Sequence, residues 1–177
     1  MTYLELVNDV LVRLREPTVS TVTQTTYSTL IGKFVNDAKR QVEDAFSWNV
    51  LGTTITLTTV FGTYSYSLTG AGQKFQVIDV INVTSNLGLK NIDYVTMNRN
   101  QNFSTPVSGI PAYYAFDGVD ASYDTKVTLY PRPNGVYTIP FSLTVPQATL
   151  SSGSTVIAVP DTLVAQNAYA RALVERG

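Results

Sequence analysis

The 177-residue chain contains no histidine and no cysteine. Without an imidazole, hydrolysis of the Ser-His-Asp type has no group to carry its proton. The side chain whose ordinary titration lies between pH 5 and 8 is also gone. Without a thiol there are no disulfides and no thiolate metal sites, an absence that says little about compartment. Charge is scarce too. Asp, Glu, Lys and Arg make up 14% of the residues, against about 25% in an average soluble protein. The 12 basic and 13 acidic residues leave a net charge of −1, unlike the clustered cations that grip phosphates. No apolar run approaches the roughly 20 residues that span a bilayer. The opening Met1-Thr2-Tyr3-Leu4-Glu5 lacks the regions of a secretory signal. The expectation is a soluble protein made in a cytoplasm, and a part of an assembly before an enzyme.

What is present is an order of parts. Apolar residues Tyr3, Leu6, Val7, Val10, Leu11 and Leu14 recur at helical spacing and predict a helix over 2–15. Thr2 and Glu5 have the spacing of a capping box, and Pro17 stops the helix. After a Ser/Thr/Val-rich linker, a second helix is expected over about 24–46. Its apolar stripe is Tyr27, Leu30, Ile31, Phe34, Val35, Ala38, Val42, Ala45 and Phe46. Its other face carries Lys33, Asp37, Lys39, Arg40, Glu43 and Asp44, and reads as solvated or partner-facing. Gly32 reads as a mild weak point, worth up to about 1 kcal/mol against Ala. The short connection makes the two helices an antiparallel hairpin.

The middle is Thr- and Tyr-rich. Ile55 and Leu57 alternate with threonines at strand period. Across the turn Phe61-Gly62-Thr63, Tyr64, Tyr66 and Leu68 alternate with serines, so a hairpin is expected. Val77–Val83 reads as a central strand, 92–98 as one helical turn, and 100–108 as a polar loop. Tyr113–Phe116 and Lys126–Tyr130 read as paired strands around an acidic loop, followed by a turn at 131–135. Then Tyr137, Ile139, Phe141, Leu143 and Val145 share one face of a strand. Pro140 makes it an edge strand or a bulged one, because proline cannot donate to a ladder. Ser151–Ser154 reads as a flexible link. A last helix opens at Pro160-Asp161, with Asp161 as N-cap and Leu163, Val164, Ala168, Tyr169, Ala172 and Leu173 as its apolar stripe.

Candidate chemistry is thin. Glu43 and Asp44 are a carboxylate pair of the kind glycosidases use, but adjacent helical residues point in different directions. Asp117, Asp120 and Asp124 share a loop and could attract a hard cation. Their spacing is not that of an EF-hand, and a polar loop is the plainer reading. Gly70-Ala71-Gly72-Gln73-Lys74 lacks the spacing of a phosphate loop and reads as a turn. The tyrosines could form a sugar platform, a protein interface, or part of a sheet core. No catalytic residue, cofactor site or metal site is assigned.

Several segments resemble a known family. Helix one ends Val12-Arg13-Leu14-Arg15-Glu16-Pro17, and helix two closes on Arg40-Gln41-Val42 and Phe46-Ser47-Trp48-Asn49-Val50. Further on, Gly109-Ile110-Pro111-Ala112-Tyr113-Tyr114-Ala115 precedes Val127-Thr128-Leu129-Tyr130-Pro131-Arg132-Pro133. Then come Tyr137-Thr138-Ile139, Pro146, and Val159-Pro160 opening a helix. This order resembles the adaptor, or tail tubular, proteins that join portal to tail nozzle in short-tailed bacteriophages. The resemblance implies a dodecameric ring around a DNA channel that passes DNA without sequence-specific binding. It implies a helical part toward the portal protein, a β part toward the nozzle protein, and a place in the virion tail at the portal vertex. Family members usually continue past the helix that begins here at Asp161.

The expected fold is α+β: a helical bundle subdomain of two N-terminal helices and a C-terminal helix, with a large antiparallel β insertion. The expected divisions are 1–49, 50–150 and 151–177. For a ring, Lys33, Asp37, Lys39, Arg40, Glu43 and Asp44 are the candidate lateral contacts. By the resemblance, Asp161, Val164, Asn167, Ala168, Arg171 and Glu175 would face the portal. Tyr64, Tyr66, Tyr113 and Tyr114 would face the nozzle. The expected function is a structural connector and not an enzyme. The alternative is a carbohydrate-binding or cell-wall glycan-cleaving tail module.

Overall fold

The computed structural model describes residues 1–102 and 105–177. The fold is α+β, and the chain divides into two compact units. One comprises Met1–Leu51 with Pro146–Gly177, and the other comprises Gly52–Val145.

The helical unit contains α1 (Tyr3–Arg13), α2 (Thr26–Ala45) and α4 (Asp161–Arg176). The capping box at the start of α1 forms as expected, with Thr2 and Glu5 bonding each other's backbone N–H. A second box caps α2 through Thr25 and Ser28. Between these helices the Asn8 side chain fastens the connection, accepting from Val19 N–H at 2.8 Å and donating to its carbonyl at 3.0 Å. Leu6, Val7 and Val10 of α1, Ile31, Val35 and Ala38 of α2, and Val164 and Ala168 of α4 are fully buried together. Each large side chain buried this way contributes about 1.5–3 kcal/mol.

Gly32 is a contact point and not a weak point. A Cβ at that position would lie 2.5 Å from the Tyr3 hydroxyl and 2.7 Å from Val22 Cγ1. Residues 151–154 are also more than a flexible link. Tyr3 N–H donates to Thr155 O at 2.8 Å and Leu4 N–H to Gly153 O at 3.0 Å, so the segment is fastened to the start of α1. In α4 the buried stripe is Val164, Ala165, Ala168 and Ala172, while Leu163 and Leu173 are exposed. The expected stripe is therefore rotated by about one residue, because small alanines give the closest approach to α1 and α2. Asp161 is not an N-cap. Pro160 holds that position with no side-chain cap, and the Asp161 carboxylate pairs with the Met1 ammonium at 3.0 Å. At the end of α2, Ala45 and Phe46 are exposed, outside the stripe expected for them.

The β unit holds two four-stranded sheets and a small two-stranded one. The first sheet has β1 (Gly52–Thr58), β3 (Gln76–Asn82), β4 (Leu87–Gly88) and β10 (Thr138–Thr144), in the order β1-β10-β3-β4. The second has β2 (Ser65–Ser67), β5 (Lys90–Asn91), β7 (Tyr113–Val119) and β8 (Thr125–Tyr130), in the order β2-β8-β7-β5. The small sheet pairs β6 (Ser108–Gly109) with β9 (Arg132–Pro133). Most pairings are antiparallel; β5–β7 and β6–β9 are parallel. Ile139, Phe141 and Leu143 of β10 meet Tyr114, Val127 and Leu129 of the second sheet in one core. Tyr114 and Phe141 pack edge to face at 5.7 Å.

The expected hairpin does not form. β1 pairs with β10 over seven residues, and the chain crosses to the other sheet, where β2 pairs with β8. The longer apolar ladder on β10 outcompetes the local partner. β10 is central and not an edge. The Tyr137 carbonyl accepts from Thr59 N–H at 2.9 Å, so odd-numbered residues exchange hydrogen bonds with β1 and even-numbered ones face β3. Pro140 therefore lacks its donor on the β3 side, where the ladder slips register at Ser142/Leu143. β3 lies between two strands in order, as expected for a central strand, yet Ile78, Ile81 and Val83 remain exposed. The helical turn expected at 92–98 is the nine-residue helix α3 (Tyr94–Asn102). It takes the start of the expected polar loop at 100–108, of which Phe103 and Ser104 lie outside the described residues.

Candidate functional site

The six charged residues expected on one open face of α2 fall into two groups. Lys33, Asp37, Arg40 and Asp44 are exposed. Lys39 and Glu43 are buried within the chain, which corrects the reading of the whole face as solvated or partner-facing. Lys39 Nζ lies 3.0 and 3.2 Å from the two Glu43 carboxylate oxygens and donates to the Gln147 carbonyl at 2.6 Å. Glu43 Oε1 accepts from Gln147 N–H at 3.1 Å. Next to this pair, Asn36 bonds both the N–H and the carbonyl of Leu150, at 2.8 and 3.0 Å. These groups hold the returning segment 147–150 against α2. An i,i+4 Lys–Glu pair reads as solvated by pattern, and only the position of that segment shows otherwise.

The six candidates on α4 divide in the same way. Val164 and Ala168 are fully buried against α1 and α2 and present no surface. Asp161 is paired with the N-terminus, and this hydrogen bond holds its carboxyl below the ordinary range. Asn167 donates to Gln41 Oε1 at 2.7 Å, and Arg171 reaches the Asn167 oxygen at 3.4 Å. Glu175 is exposed. The open flank of α4 is apolar in places: Leu163, expected in the buried stripe, is 47% exposed, and Val174, which periodicity did not single out, is 82% exposed. At its C-terminal end Arg176 stacks on Tyr27, with the guanidinium 4.9 Å from the ring centre, and pairs with Glu16.

A second apolar surface lies at the start of α4. Met1, Phe46, Trp48, Val50 and Val159 line an open groove of about 490 Å³ with Asp161 at its rim. Phe46 and Trp48 pack edge to face at 5.0 Å, and Trp48 Nε1 donates to the Val42 carbonyl at 2.7 Å. Phe46 was expected in the buried stripe of the second helix. It lies beyond the last helical residue, in extended backbone that turns its ring outward.

The four tyrosines do not form one platform. Tyr114 is buried in the β core. Tyr66 is half-buried, and its hydroxyl accepts from Val60 N–H at 3.0 Å and donates to Thr63 O at 2.7 Å. Tyr64 lies under the Arg132 guanidinium, 4.4 Å from the ring centre. Tyr113 is exposed. In the acidic loop, Asp124 Oδ1 accepts from both Gly70 and Gly72 N–H at 3.0 Å. Asp120 Oδ1 accepts from Ser122 and Asp124 N–H at 2.8 and 3.0 Å. These carboxylates serve the backbone. Gly70 and Gly72 both have positive φ, and their N–H groups, on either side of Ala71, converge on one oxygen.

Among the described residues no helix is long and apolar enough to cross a membrane. No curated protein matches the chain. The family model for the SU10 adaptor protein matches residues 1–176. That match covers both compact units, including the helices, the β region between them and the closing helix, and the chain belongs to the SU10 adaptor family, the head-to-tail connectors of short-tailed bacteriophages.

Proposed function

We propose that the chain is a structural connector without catalytic activity, and that copies of it form a ring, dodecameric by family resemblance, between portal and tail nozzle. DNA passes through the channel without sequence-specific contacts, and the mature location is the virion tail at the portal vertex. The observation that carries this reading is the family match over residues 1–176. The near-neutral composition is compatible with it, since a conduit for DNA has to avoid clustered cations.

Within this reading, the lateral contacts come from the exposed members of the α2 face: Lys33, Asp37, Arg40 and Asp44. Mixed charges at such a contact set register and partner choice more than affinity. The portal contact comes from the open flank of α4, where Leu163, Leu173 and Val174 supply apolar area and Asn167, Arg171 and Glu175 a polar rim. Exposed apolar side chains rimmed by polar ones are a usual mark of an interaction site. Of the four candidate tyrosines, the exposed Tyr113 supplies the nozzle-side contact.

The test is sedimentation of the purified chain alone and mixed with the portal of the same phage. Co-sedimentation at a fixed ratio supports the reading. A chain that ignores the portal but gains thermal stability with cell-wall glycan fragments contradicts it and favours a carbohydrate module.

A further inference from the structure

The sheet of β1, β10, β3 and β4 ends on two unlike edges. At the β4 end the hydrogen-bonding template is blunted. β4 is two residues long, Leu89 N–H donates to the Val80 carbonyl at 2.9 Å, and Val80 N–H turns onto the Asp79 carboxylate at 2.9 Å. At the other end, β1 runs seven residues and, among the described residues, pairs only with β10. It has no charge and no proline, the devices that normally keep an exposed edge from pairing. The edge strands of the second sheet, β2 and β5, are three and two residues long, so β1 is the longest open edge in the unit.

Its outward groups can be named. Odd-numbered residues of β1 exchange hydrogen bonds with odd-numbered residues of β10, as the register Ile55↔Phe141 and the Thr59–Tyr137 bond require. The N–H and C=O of Gly52, Thr54, Thr56 and Thr58 therefore point away from the sheet. All four residues are exposed.

We propose that β1 is a strand-pairing site taken by β1 of a second copy of this chain, antiparallel, about a two-fold axis through Ile55. Ile55 is the midpoint of the strand, so this register overlaps all seven residues. It places Thr54 opposite Thr56 and Gly52 opposite Thr58 as hydrogen-bonded pairs. On the core-facing side Ile55 meets its own copy and Thr53 meets Leu57. Thr54 and Thr56 hydroxyls thus lie against each other on one face and the two Ile55 side chains meet at the axis on the other, pairings that favour adjacent strands. A two-fold axis sets like residues near like, which is repulsive for charged strands. The absence of any charge in β1 makes it electrostatically compatible with its own copy. A contact this small falls below the roughly 1,200–2,000 Å² of a standard stable interface, so the dimer is concentration-dependent. A two-fold contact closes on two copies and builds no ring. It is independent of the ring reading, and either can fail alone.

The experiment is sedimentation equilibrium of the isolated chain from about 10 μM to about 1 mM, a span matched to a weak association. Amide exchange is followed at Thr54, Thr56 and Thr58. Thr56→Pro removes one outward donor and leaves the β10 ladder intact, as edge positions allow. Thr56→Lys adds a charge at the same place and serves if the proline variant does not fold. The wild type is expected to be a monomer–dimer mixture, with those three amides gaining protection as concentration rises. Either variant is expected to weaken association by about tenfold or more at unchanged melting temperature. A wild type that stays monomeric throughout, or a dimer that survives both substitutions, overturns the proposal.

Discussion

Lys39 Nζ lies 3.0 Å from Glu43 Oε1 inside the helical unit, and both groups also bond the backbone of Gln147. The pair closes a polar contact between α2 and the chain returning from the β region. Removing one partner leaves the other buried and uncompensated. Lys39→Met is expected to cost about 3–5 kcal/mol, a fall in melting temperature on the order of 10 °C for a chain of this size. Lys39→Met with Glu43→Leu is expected to cost less than the single change. Thermal and urea melts of the three proteins measure this, and a single variant as stable as wild type contradicts it.

Gly32→Ala is expected to destabilise by about 1–3 kcal/mol, the usual cost of overpacking. Helix propensity alone favours Ala by up to about 1 kcal/mol, but the added methyl would overlap the Tyr3 hydroxyl and Val22. The sign of the change in urea midpoint decides between the two effects.

Helices α1 and α2 and the strand character of β10 were legible because their signals are local, while the central place of β10 in its sheet was not. The Thr2/Glu5 capping box, the α1 stripe and the alternation of Ile139, Phe141 and Leu143 all lie within short windows, and each appears in the fold. The family resemblance rested on equally local segments. Strand partners were not legible. β1 reads equally well beside Tyr64–Leu68 or beside β10, and only burial of the whole β10 face selects the second. The Lys39–Glu43 pair and Gly32 were misread for a related reason. Their environments are set by segment 147–150 and by Tyr3, distant in sequence and invisible to a helical period.

Stability should respond to acid and not to the neutral range. Backbone and side-chain bonds from Thr2 lower the Glu5 carboxyl, bonds from Thr96 lower Asp93, the Ser67 hydroxyl leads in lowering Asp120, and the N-terminus lowers Asp161. A carboxyl depressed on folding contributes stability above its unfolded value, about 4, and loses it as pH falls through the folded value. With no histidine, no ordinary side chain titrates between pH 5 and 8. The melting temperature is expected to be level from about pH 5.5 to 7 and to fall below about pH 4. A step near pH 6.5 would contradict this.

Charge reversal at the exposed α2 residues tests the lateral contact without disturbing the core. Asp37→Arg with Arg40→Glu is expected to weaken ring formation on the portal while leaving the melting temperature within about 1 °C, since surface substitutions typically change stability by less than about 0.5 kcal/mol. Lys39 is unsuitable for this purpose because it is buried. Rings that form normally from the double variant would remove this face from the contact.

The most direct measurement is cryo-electron microscopy of the chain mixed with the portal of the same phage. The expected result is a closed ring of copies stacked on the portal, with the open flank of α4 (Leu163, Leu173, Val174) against it. Portal particles with no added density, from a mixture in which the chain is folded and in excess, would contradict the connector reading.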